Sequence, residues 1–520
     1  MTKKIQFKLN FDESVETYLN KAHPDIADFR ILSKSLDARG APRGKKPIFQ
    51  YSVEIINSGE EFSSHAESFD QLPHFDKMPV FIGAGPASLF GALRLAEYGI
   101  PSVIIERGAE AKKRMLDIAK FWRYGKLNAE SNVCYGEGGA GLFSDGKLIT
   151  RVKSPYVKYV MQKFVDFGAP AETAYISNPH LGSNKIRNII YEMSDYLRSA
   201  GCIIHYNTRV DEILYEDKKV IGVKIDNGDV IDTDHVILAA GHSATNIYHH
   251  LAQTGVAMKQ KDFAVGVRIE HPRVVIDKLQ HGKYNESEFL GSARYRLSYH
   301  NDETQKGTYS FCMCPGGYVL SSGTEDDGLV VNGMSNYSRS SRWSNSALVV
   351  TVNQGSDFET TNILSGLEFQ HEIEQKAYKL SVKHATGREL PAMTLGEFLK
   401  GRVDPNVELP KTSSPSKIFK ANLTEIFPPF ITEHLKTALH EFNSKMAGFS
   451  YDDALIIAPE TRTSAPITIL RDKVTLESTS HLGLYPCGEG AGYAGGITSA
   501  GVDGIKVVES MLQDRYKNHL

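Results

Sequence analysis

The stretch Val80-Phe-Ile-Gly83-Ala-Gly85-Pro-Ala-Ser88 carries the most information about the fold. Its three apolar residues predict a short buried strand, a glycine-rich turn follows, and residues 89–98 show the apolar period of a packed helix. Gly83 permits a tight turn, and Gly85 lets the backbone approach a phosphate closely. The free N–H groups at the start of the helix are therefore expected to bind the pyrophosphate of a dinucleotide.

The residues after this turn strengthen the dinucleotide interpretation. Ser88 replaces the third glycine of the usual GxGxxG pattern, and serine is small enough for close packing of a helix on a strand. Residues 102–105 predict a second buried strand, which completes a βαβ unit. Glu106 ends that strand, 23 residues after Gly83. An acidic side chain at this position can accept hydrogen bonds from a ribose with a free 2′-hydroxyl.

A second glycine-dense segment, Gly488-Glu-Gly-Ala-Gly-Tyr-Ala-Gly-Gly496, lies near the C-terminus. A strand leads into it, and residues 498–512 predict a helix after it. This order resembles the C-terminal FAD-binding motif of glutathione-reductase-like flavoproteins. The resemblance implies that Glu489 accepts from a ribitol hydroxyl and that the helix N-terminus faces the flavin pyrimidine, where it favours negative charge.

Two further segments extend the predicted cofactor site. Ala240-Gly-His-Ser243 follows an apolar strand and resembles the motif that passes under the dinucleotide in the same superfamily. The loop at residues 136–147 is glycine-rich and is expected to face the flavin, with Ser144, Asp145 and Lys147 as polar contacts. A lysine close to the flavin stabilises its anionic reduced form. The alternative is that this loop only closes over the adenosine side.

Eight short segments, spread over nearly the whole chain, are more specific as a set than any one of them. The set resembles a widespread bacterial family of uncharacterised, predicted FAD-dependent dehydrogenases. The resemblance implies noncovalent FAD and the fold, but not the reaction. The segments are Gly136-Glu-Gly-Gly-Ala-Gly-Leu-Phe-Ser-Asp-Gly-Lys147, Asn178-Pro-His180, Ala240-Gly-His-Ser243, Gly266-Val-Arg-Ile-Glu-His271, Phe311-Cys-Met-Cys-Pro-Gly-Gly317, Asn332-Gly-Met-Ser335, Glu460-Thr-Arg-Thr-Ser464 and residues 488–496.

The chain departs from this family pattern at one place. Residues 244–246, Ala-Thr-Asn, follow Ser243 where an arginine-containing segment is expected. This departure leaves a nearby phosphate or carboxylate contact open, but it does not affect the FAD prediction.

The predicted FAD contacts come from the glycine motifs and the residues beside them. They are Gly83, Gly85, Pro86, Ala87, Ser88, Glu106, Arg107, Gly138, Gly139, Ala140, Gly141, Ser144, Asp145, Ala240, Gly241, Gly488, Glu489, Gly496, Ile497 and Thr498.

The order of elements predicts an α/β fold: a Rossmann-like FAD-binding domain with an inserted α+β substrate domain and a small N-terminal α+β, ferredoxin-like module. The Tyr-, Ser- and Thr-rich strands from residue 262 onward differ in pattern from the nucleotide-binding segments, which return near residue 455. The expected domains are residues 1–75 for the N-terminal module, 76–261 and 456–520 for the two parts of the FAD-binding domain, and 262–455 for the insert.

The N-terminal module is predicted from a strand–helix–strand–strand pattern. Asp12 is expected to cap a helix at residues 13–22, between a strand at residues 5–9 and two strands at residues 29–36 and 48–56. The basic residues 39–47 are interpreted as a solvated turn, and the alternative is a contact with an anion or a partner.

Composition places the chain among ordinary globular proteins. It has 520 residues, a net charge of −3 and 41% hydrophobic residues, and this balance indicates neither nucleic acid nor an anionic membrane as partner. No apolar run approaches the roughly 18 residues that cross a bilayer, and no signal peptide is predicted. Five unevenly spaced cysteines do not form a disulfide framework, so a cytoplasmic location is expected. The oligomeric state is left open.

Four side chains are candidates for catalysis. Arg462 could clamp a substrate carboxylate beside the flavin, and Arg268 could contact the substrate in the same way. His271 could donate or accept a proton, and Lys147 could stabilise the reduced flavin. Structural alternatives are ion pairs of Arg268 with Glu270 or another acid, and of Arg462 with Glu460.

Cys312 and Cys314 form a Cys-x-Cys pair in the insert. The pair is interpreted as two thiols that pack as small apolar groups, and the alternative is a redox pair that exchanges electrons with the flavin. No second Cys or His pair has the spacing of zinc ligands, so no metal is expected.

These patterns predict an FAD-dependent oxidoreductase that transfers a hydride between FAD and a small, polar or anionic substrate. No second strand–GxGxxG–helix unit is found, so the hydride comes either from the substrate or from an NAD(P)H that binds transiently. An NAD(P)H-dependent flavin hydroxylase is one alternative. The other is a structural flavin in a protein whose N-terminal module binds RNA or a protein, which the absence of an aromatic–basic stripe disfavours.

Overall fold

A computed structural model describes residues 3–62 and 69–516 of the chain. The expected domain limits also include residues 1–2, 63–68 and 517–520, which lie outside the described residues.

The N-terminal module is a three-stranded antiparallel sheet, in the order β1-β3-β2, with one helix. Ser14, not Asp12, caps the helix, because its side chain accepts a hydrogen bond from the Thr17 backbone N–H. Within residues 3–62 its elements follow the strand–helix–strand–strand order that the sequence predicted, which is one half of a βαββαβ ferredoxin-like unit with an added strand. Its elements are β1 (Lys3–Asn10), α1 (Val15–Ala22), β2 (Ile26–Asp37) and β3 (Ile48–Asn57).

The basic segment at residues 39–47 makes its contacts with other residues of the same chain. Lys46 lies 2.9 Å from Asp12, and the Tyr284 hydroxyl donates to the Gly44 carbonyl at 3.3 Å. The second contact attaches the module to the insert.

The first half of the nucleotide-binding part contains short apolar strands and longer amphipathic helices. Its elements are β4 (Val80–Ile82), α2 (Pro86–Glu97), β5 (Val103–Ile105), α3 (Ala111–Tyr124), α4 (Tyr156–Asp166), α5 (Gly182–Ser199), β6 (Ile203–His205), β7 (Val210–Glu216), β8 (Lys219–Ile225), β9 (Val230–Asp232), β10 (Val236–Leu238), α6 (Thr245–Gln253) and β11 (Met258–Gln260).

The insert follows without a break, and the chain then returns to the nucleotide-binding part. The elements of the insert are β12 (Phe263–Pro272), α7 (Arg273–His281), β13 (Ser298–Asn301), β14 (Lys306–Cys314), β15 (Tyr318–Ser321), β16 (Val331–Met334), β17 (Trp343–Val352), α8 (Ser365–His384), β18 (Leu390–Thr394), α9 (Leu395–Lys400), β19 (Ile418–Lys420), α10 (Pro429–Lys445) and β20 (Leu455–Glu460). The last elements of the chain are β21 (Ile467–Ile469), β22 (Leu484–Pro486) and α11 (Ile497–Arg515).

A five-stranded parallel sheet, in the order β22-β10-β4-β5-β6, forms the centre of the nucleotide-binding part. Alternate residues of its strands face opposite sides, so Phe81 and Ile104 pack in the core with helices α2 and α11, while Val80 and Ile82 pack in a second core with the β7–β9 sheet. Both faces of the sheet are therefore covered, as a parallel sheet requires.

The insert is built on a seven-stranded sheet, in the order β13-β14-β17-β12-β20-β18-β19, in which only β18 and β19 are parallel. Helix α10 packs its apolar side on β12 and β17. Strand β20 pairs with β12 and β18 in this sheet. Residues 456–460, which were assigned to the FAD-binding domain, are thus part of the insert.

The topology brings the predicted motifs to one edge. The carboxyl ends of parallel strands meet at the same edge of a sheet, where doubly wound folds bind their ligands. Gly83 follows β4, Glu106 follows β5, Ala239 follows β10, and Gly488 lies two residues after β22.

Candidate active site

A cavity of about 380 Å³ lies at this edge, within the size range of ligand sites. One wall consists of the turns after β4, β5, β10 and β22, together with the loop at residues 139–147. The opposite wall comes from the insert, with Phe311, Cys312, Asn332 and Glu460. The cavity therefore lies between the two parts of the chain.

The turn between β4 and α2 leaves space where a phosphate is expected. Gly83 has φ +96°, and a Cβ there would lie 2.7 Å from the Ala239 carbonyl oxygen, so only glycine fits. A Cβ on Gly85 would have no atom within 4 Å, and Gly85 begins α2 without a side-chain cap. Open space therefore lies beside the N-terminus of α2 in the cavity wall.

The N-terminus of α11 also lacks a side-chain cap and lies beside open space. Gly496 precedes the helix without a side-chain cap, and a Cβ on Gly495 or Gly496 would have no atom within 4 Å. A Cβ on Gly141 would lie 2.9 Å from the Ile497 side chain. The loop at residues 139–147 therefore passes directly over the start of this second helix.

The Glu106 carboxylate is held in the cavity wall by three backbone N–H groups. Ala84, Gly108 and Gly136 donate to it at 2.8–2.9 Å. The side chain is 5% exposed and lines the cavity. Two carboxylate oxygens have about four acceptor sites, so one remains for a ligand hydroxyl.

Asp145 connects the loop at residues 139–147 to the insert. Arg339 donates to it through two nitrogens, and Ser335 donates a third hydrogen bond. Lys147 lies 3.8 Å away. Burial alone would raise the pKa of Asp145, but the positive charges of Lys147 and Arg339 outweigh it and lower the pKa. Asp145 is thus an ionised group that positions the loop.

Arg462 lines the cavity, but its guanidinium is already paired with Glu374 of α8. A third contact goes from Nη1 to the Thr324 hydroxyl. The Arg462 guanidinium is therefore not available to clamp a substrate carboxylate, which corrects that expectation. The ion-pair partner of Arg462 is also not Glu460, which was the structural alternative. Glu460 instead pairs with Arg268.

Arg268 and His271 do not line the cavity. Arg268 is fully buried and donates to both oxygens of Glu460 at 2.8–2.9 Å, not to Glu270. His271 is fully buried, its Nε2 lies 2.8 Å from the Phe449 carbonyl oxygen, and burial lowers its pKa to about 4. A ligand in the cavity cannot exchange a proton with it directly, so both catalytic expectations are corrected.

Most of the predicted cofactor residues meet in this one cavity. Ser88, Gly138 and Thr498 do not line it: Ser88 and Thr498 are buried, and the Gly138 N–H donates to the Ala84 carbonyl. The predicted residues that line the cavity are Gly83, Gly85, Pro86, Ala87, Glu106, Arg107, Gly139, Ala140, Gly141, Ser144, Asp145, Lys147, Ala240, Gly241, Arg462, Gly488, Glu489, Gly496 and Ile497.

Several lining residues were missed by the sequence analysis. The Tyr135 hydroxyl donates to the Ser243 carbonyl, and the Arg107 guanidinium lies 4.0 Å from the centre of the Tyr135 ring. His242 is half-buried and lines the cavity, and burial followed by the charge of Arg462 lowers its pKa to about 4. Tyr135 is adjacent to the 136–147 segment and His242 is part of the 240–243 segment, so proximity to these motifs was the available signal.

The two cysteines of the insert differ in their surroundings. Cys314 is buried, as the packing interpretation requires, but Cys312 is half-buried and lines the cavity. Cys312 also has φ +44°, which is uncommon for a residue with a side chain. Packing therefore accounts for Cys314 and does not account for Cys312.

The site fits FAD. The two helix N-termini without side-chain caps face space where added Cβ atoms would meet nothing, as a pyrophosphate and a flavin edge require. Glu106 and Glu489 line the same cavity as acceptors for ribose and ribitol hydroxyls. Burial raises the pKa of Glu489 to about 7.

Residues 3–62 and 69–516 contain neither a metal-binding cluster nor a membrane-spanning helix. No group of three His, Cys, Asp or Glu side chains there could hold a metal ion. None of the helices in those ranges is both long and apolar enough to span a bilayer.

Comparison with known proteins gives family matches for the central part of the chain. Residues 262–463 match the family model described as "FAD-dependent protein, C-terminal domain-like". Residues 168–259 match the model described as "Flavin containing amine oxidoreductase". The first match spans the insert, including β20.

Individual relatives add to these matches. An uncharacterised protein of Clostridium beijerinckii is 38% identical over 510 residues, which are 95% of this chain and 94% of the relative. Protein FixC of Escherichia coli K12 is 31% identical over 202 residues, 38% of this chain, and the match spans less than half of FixC (44%). A solved geranylgeranyl bacteriochlorophyll reductase-like protein from Thermoplasma acidophilum aligns over 86% of this chain and 80% of its own at 12% identity, with a TM-score of 0.37, which is too low to support an argument.

Proposed function

Because this chain belongs to the family of FAD-dependent oxidoreductases that includes the Clostridium beijerinckii relative, we propose that it transfers a hydride between noncovalent FAD and a small polar substrate. Bound FAD supplies the two-electron chemistry. The side chains of this protein bind both molecules, orient them and exclude water.

The observation that carries the proposal is the composition of the cavity. The wall that fits FAD and the wall from the insert enclose the same space. A molecule held against Phe311, Cys312 or Asn332 would lie between the cofactor motifs and the insert. Such an arrangement holds two reactants in contact and converts their encounter into a unimolecular step.

Lys147 is the best candidate for contact with a polar or anionic substrate group. Its ammonium donates to the Met313 carbonyl, and its side chain is 26% exposed at the cavity. The guanidinium of Arg462, by contrast, is already paired with both carboxylate oxygens of Glu374. The anion-binding role that the sequence assigned to Arg462 therefore passes to Lys147 in this proposal.

The test is anaerobic reduction of the flavin in the purified holoenzyme by a metabolite library that includes NADH and NADPH. We expect a yellow protein that releases FAD on acid or heat treatment, and at least one compound that bleaches it. Lys147→Met should weaken the response to anionic substrates at least about tenfold, or 1.4 kcal/mol, while Lys153→Met, in the exposed segment after it, serves as the control. A protein that cannot be loaded with FAD would contradict the proposal.

A requirement for oxygen distinguishes the hydroxylase alternative from the proposed dehydrogenase. A hydroxylase would oxidise NADH or NADPH with consumption of oxygen and would yield a hydroxylated product. A dehydrogenase would reduce its flavin with substrate alone, under anaerobic conditions. The same library, screened with and without oxygen, therefore distinguishes the two reactions.

A further inference from the structure

Cys312 and Cys314 lie on the insert wall of the cavity, at an irregularity of strand β14. Phe311 pairs with Ala347 of β17, and Cys314 pairs with Asn345, so one residue of β14 is extra between these pairs. Such a bulge bends the strand, and the positive φ of Cys312 is part of this bend. Unusual backbone of this kind is typical of functional sites.

The bulge matters because of the distance between the two thiols. In a regular strand, residues two apart have Cα atoms about 6.6 Å apart, near the upper limit for a disulfide. Here the Cys314 thiol donates to the Cys312 carbonyl oxygen at 3.2 Å, so its sulfur is turned back toward the backbone of the first cysteine. The bulge thus holds the Cys314 thiol against the Cys312 backbone at the cavity wall.

Two cations flank this pair. Lys147, from the nucleotide-binding part, donates to the carbonyl of Met313, the residue between the cysteines. Arg268, from the insert, lies 3.3 Å from the Cys312 carbonyl oxygen and 4.0 Å from the Cys314 sulfur. Positive charge near a thiol stabilises its thiolate.

These contacts act differently on the two sulfurs. The neighbouring Cys314 side chain lowers the pKa of the Cys312 thiol, and the charges of Lys147 and Arg268 act in the same direction against burial. The neighbouring Cys312 side chain raises the pKa of the Cys314 thiol, and burial raises it further. One accessible thiolate next to one buried thiol is the usual arrangement of an attacking and a resolving cysteine.

We propose that Cys312 and Cys314 are a redox-active dithiol that exchanges with a small-molecule disulfide in the cavity. The Cys312 thiolate attacks one sulfur of the disulfide, which forms a mixed disulfide and releases one thiolate that takes up a proton. Cys314 then loses its proton and attacks the Cys312 sulfur, which releases the second thiol. The pair loses two electrons and gains one S–S bond, while the small disulfide becomes two thiols.

This inference rests on the proposed function, because bound FAD would be the second two-electron partner of the pair. The cavity volume of about 380 Å³ favours a small disulfide over a protein one. The thiol chemistry can nevertheless be measured without turnover of the flavin.

The experiment uses the full-length holoenzyme, incubated anaerobically with glutathione disulfide at pH 7. After the remaining thiols are blocked, peptide mass spectrometry should find a Cys312–Cys314 disulfide, seen as the loss of two hydrogen atoms. Cys314→Ser should stop at a glutathione adduct on Cys312, and Cys312→Ser should slow release of glutathione at least about tenfold. Cys202→Ser, in a buried core away from the cavity, should behave as the wild type.

A second readout on the wild type does not depend on any variant. Alkylation of Cys312 by iodoacetamide should have its midpoint below pH 7, whereas free thiols have a pKa of about 8.5. No disulfide and no adduct on Cys312, or alkylation with an ordinary midpoint, would overturn the proposal. Disulfide formation in a protein that releases no FAD would instead defeat the proposed function and leave the thiol exchange in place.

Discussion

Arg462 and Glu374 form a bidentate ion pair that joins the segment after β20 to helix α8. Arg462 Nε lies 3.0 Å from Glu374 Oε1, and Nη2 lies 2.8 Å from Oε2. Both side chains are nearly buried, with 13% and 2% exposed. Burial alone would lower the pKa of Arg462, but Glu374 holds it above its ordinary value. The pair therefore fixes α8 against the cavity wall.

Arg462→Ala should destabilise the protein by about 3–5 kcal/mol, because the buried Glu374 carboxylate loses its only ion pair and keeps just the hydrogen bond from the Thr461 hydroxyl among its described contacts. Urea and thermal unfolding, with the FAD content of the same samples, would measure the effect. Arg388→Ala is the control, since its partner Asp326 is 84% exposed and the loss should stay below about 1 kcal/mol. Unchanged stability with a large loss of flavin reduction by substrate would instead support the carboxylate clamp.

Gly83→Ala and Gly85→Ala should have different effects. A Cβ at Gly83 meets the Ala239 carbonyl at a positive φ, so the apoprotein should lose about 1–3 kcal/mol of stability. A Cβ at Gly85 meets nothing, so the apoprotein should change by less than about 0.5 kcal/mol, while FAD binding weakens at least about tenfold. Unfolding of the apoprotein and titration with FAD test both. Normal FAD affinity in Gly85→Ala would show that the pyrophosphate lies elsewhere.

Glu106→Gln should weaken FAD binding by about 1.5–3 kcal/mol, because an amide cannot accept on both atoms and would point an N–H group at a backbone donor. Fluorescence titration with FAD measures the change. Glu212→Gln, whose carboxylate pairs with Lys224 on the surface, should leave the affinity unchanged. Equal affinities of Glu106→Gln and the wild type would contradict the assignment of Glu106 to the ribose.

Glu270 should make stability depend on pH. Burial raises its pKa to about 7, against the hydrogen bonds from Ser413 and Thr412. An acid whose pKa is raised in the folded state stabilises the fold below its unfolded pKa, near 4.5, and this contribution is lost as the pH rises through about 7. The wild type should therefore lose roughly 3 kcal/mol relative to Glu270→Gln between pH 4.5 and 8. Parallel stability curves for the two proteins would show that the Ser413 and Thr412 donors keep Glu270 ionised.

Much of the FAD site could be predicted from the sequence because it is built from local motifs. Gly83, Glu106 and Gly488 each follow a short apolar strand, and the carboxyl ends of parallel strands meet at one edge. A strand, a turn and a helix N-terminus are determined by residues within a few positions of one another. All of the predicted glycines except Gly138 therefore line one cavity, although about 400 residues of sequence separate the first motif from the last.

The sequence by itself determined the cofactor motifs and the helices and strands around them, while the tertiary structure decided the partners of the charged side chains and the surroundings of the thiols. Glu374 lies 88 residues before Arg462, and Glu460 lies 192 residues after Arg268. No local pattern specifies such pairs, because they form when separate elements pack together. Cys312 faces the cavity because of an extra residue in β14, which changes the direction of its side chain. Alternation along a strand is a property of the sequence, but a bulge arises from pairing with the neighbouring strand, and this pairing exists only in the folded protein.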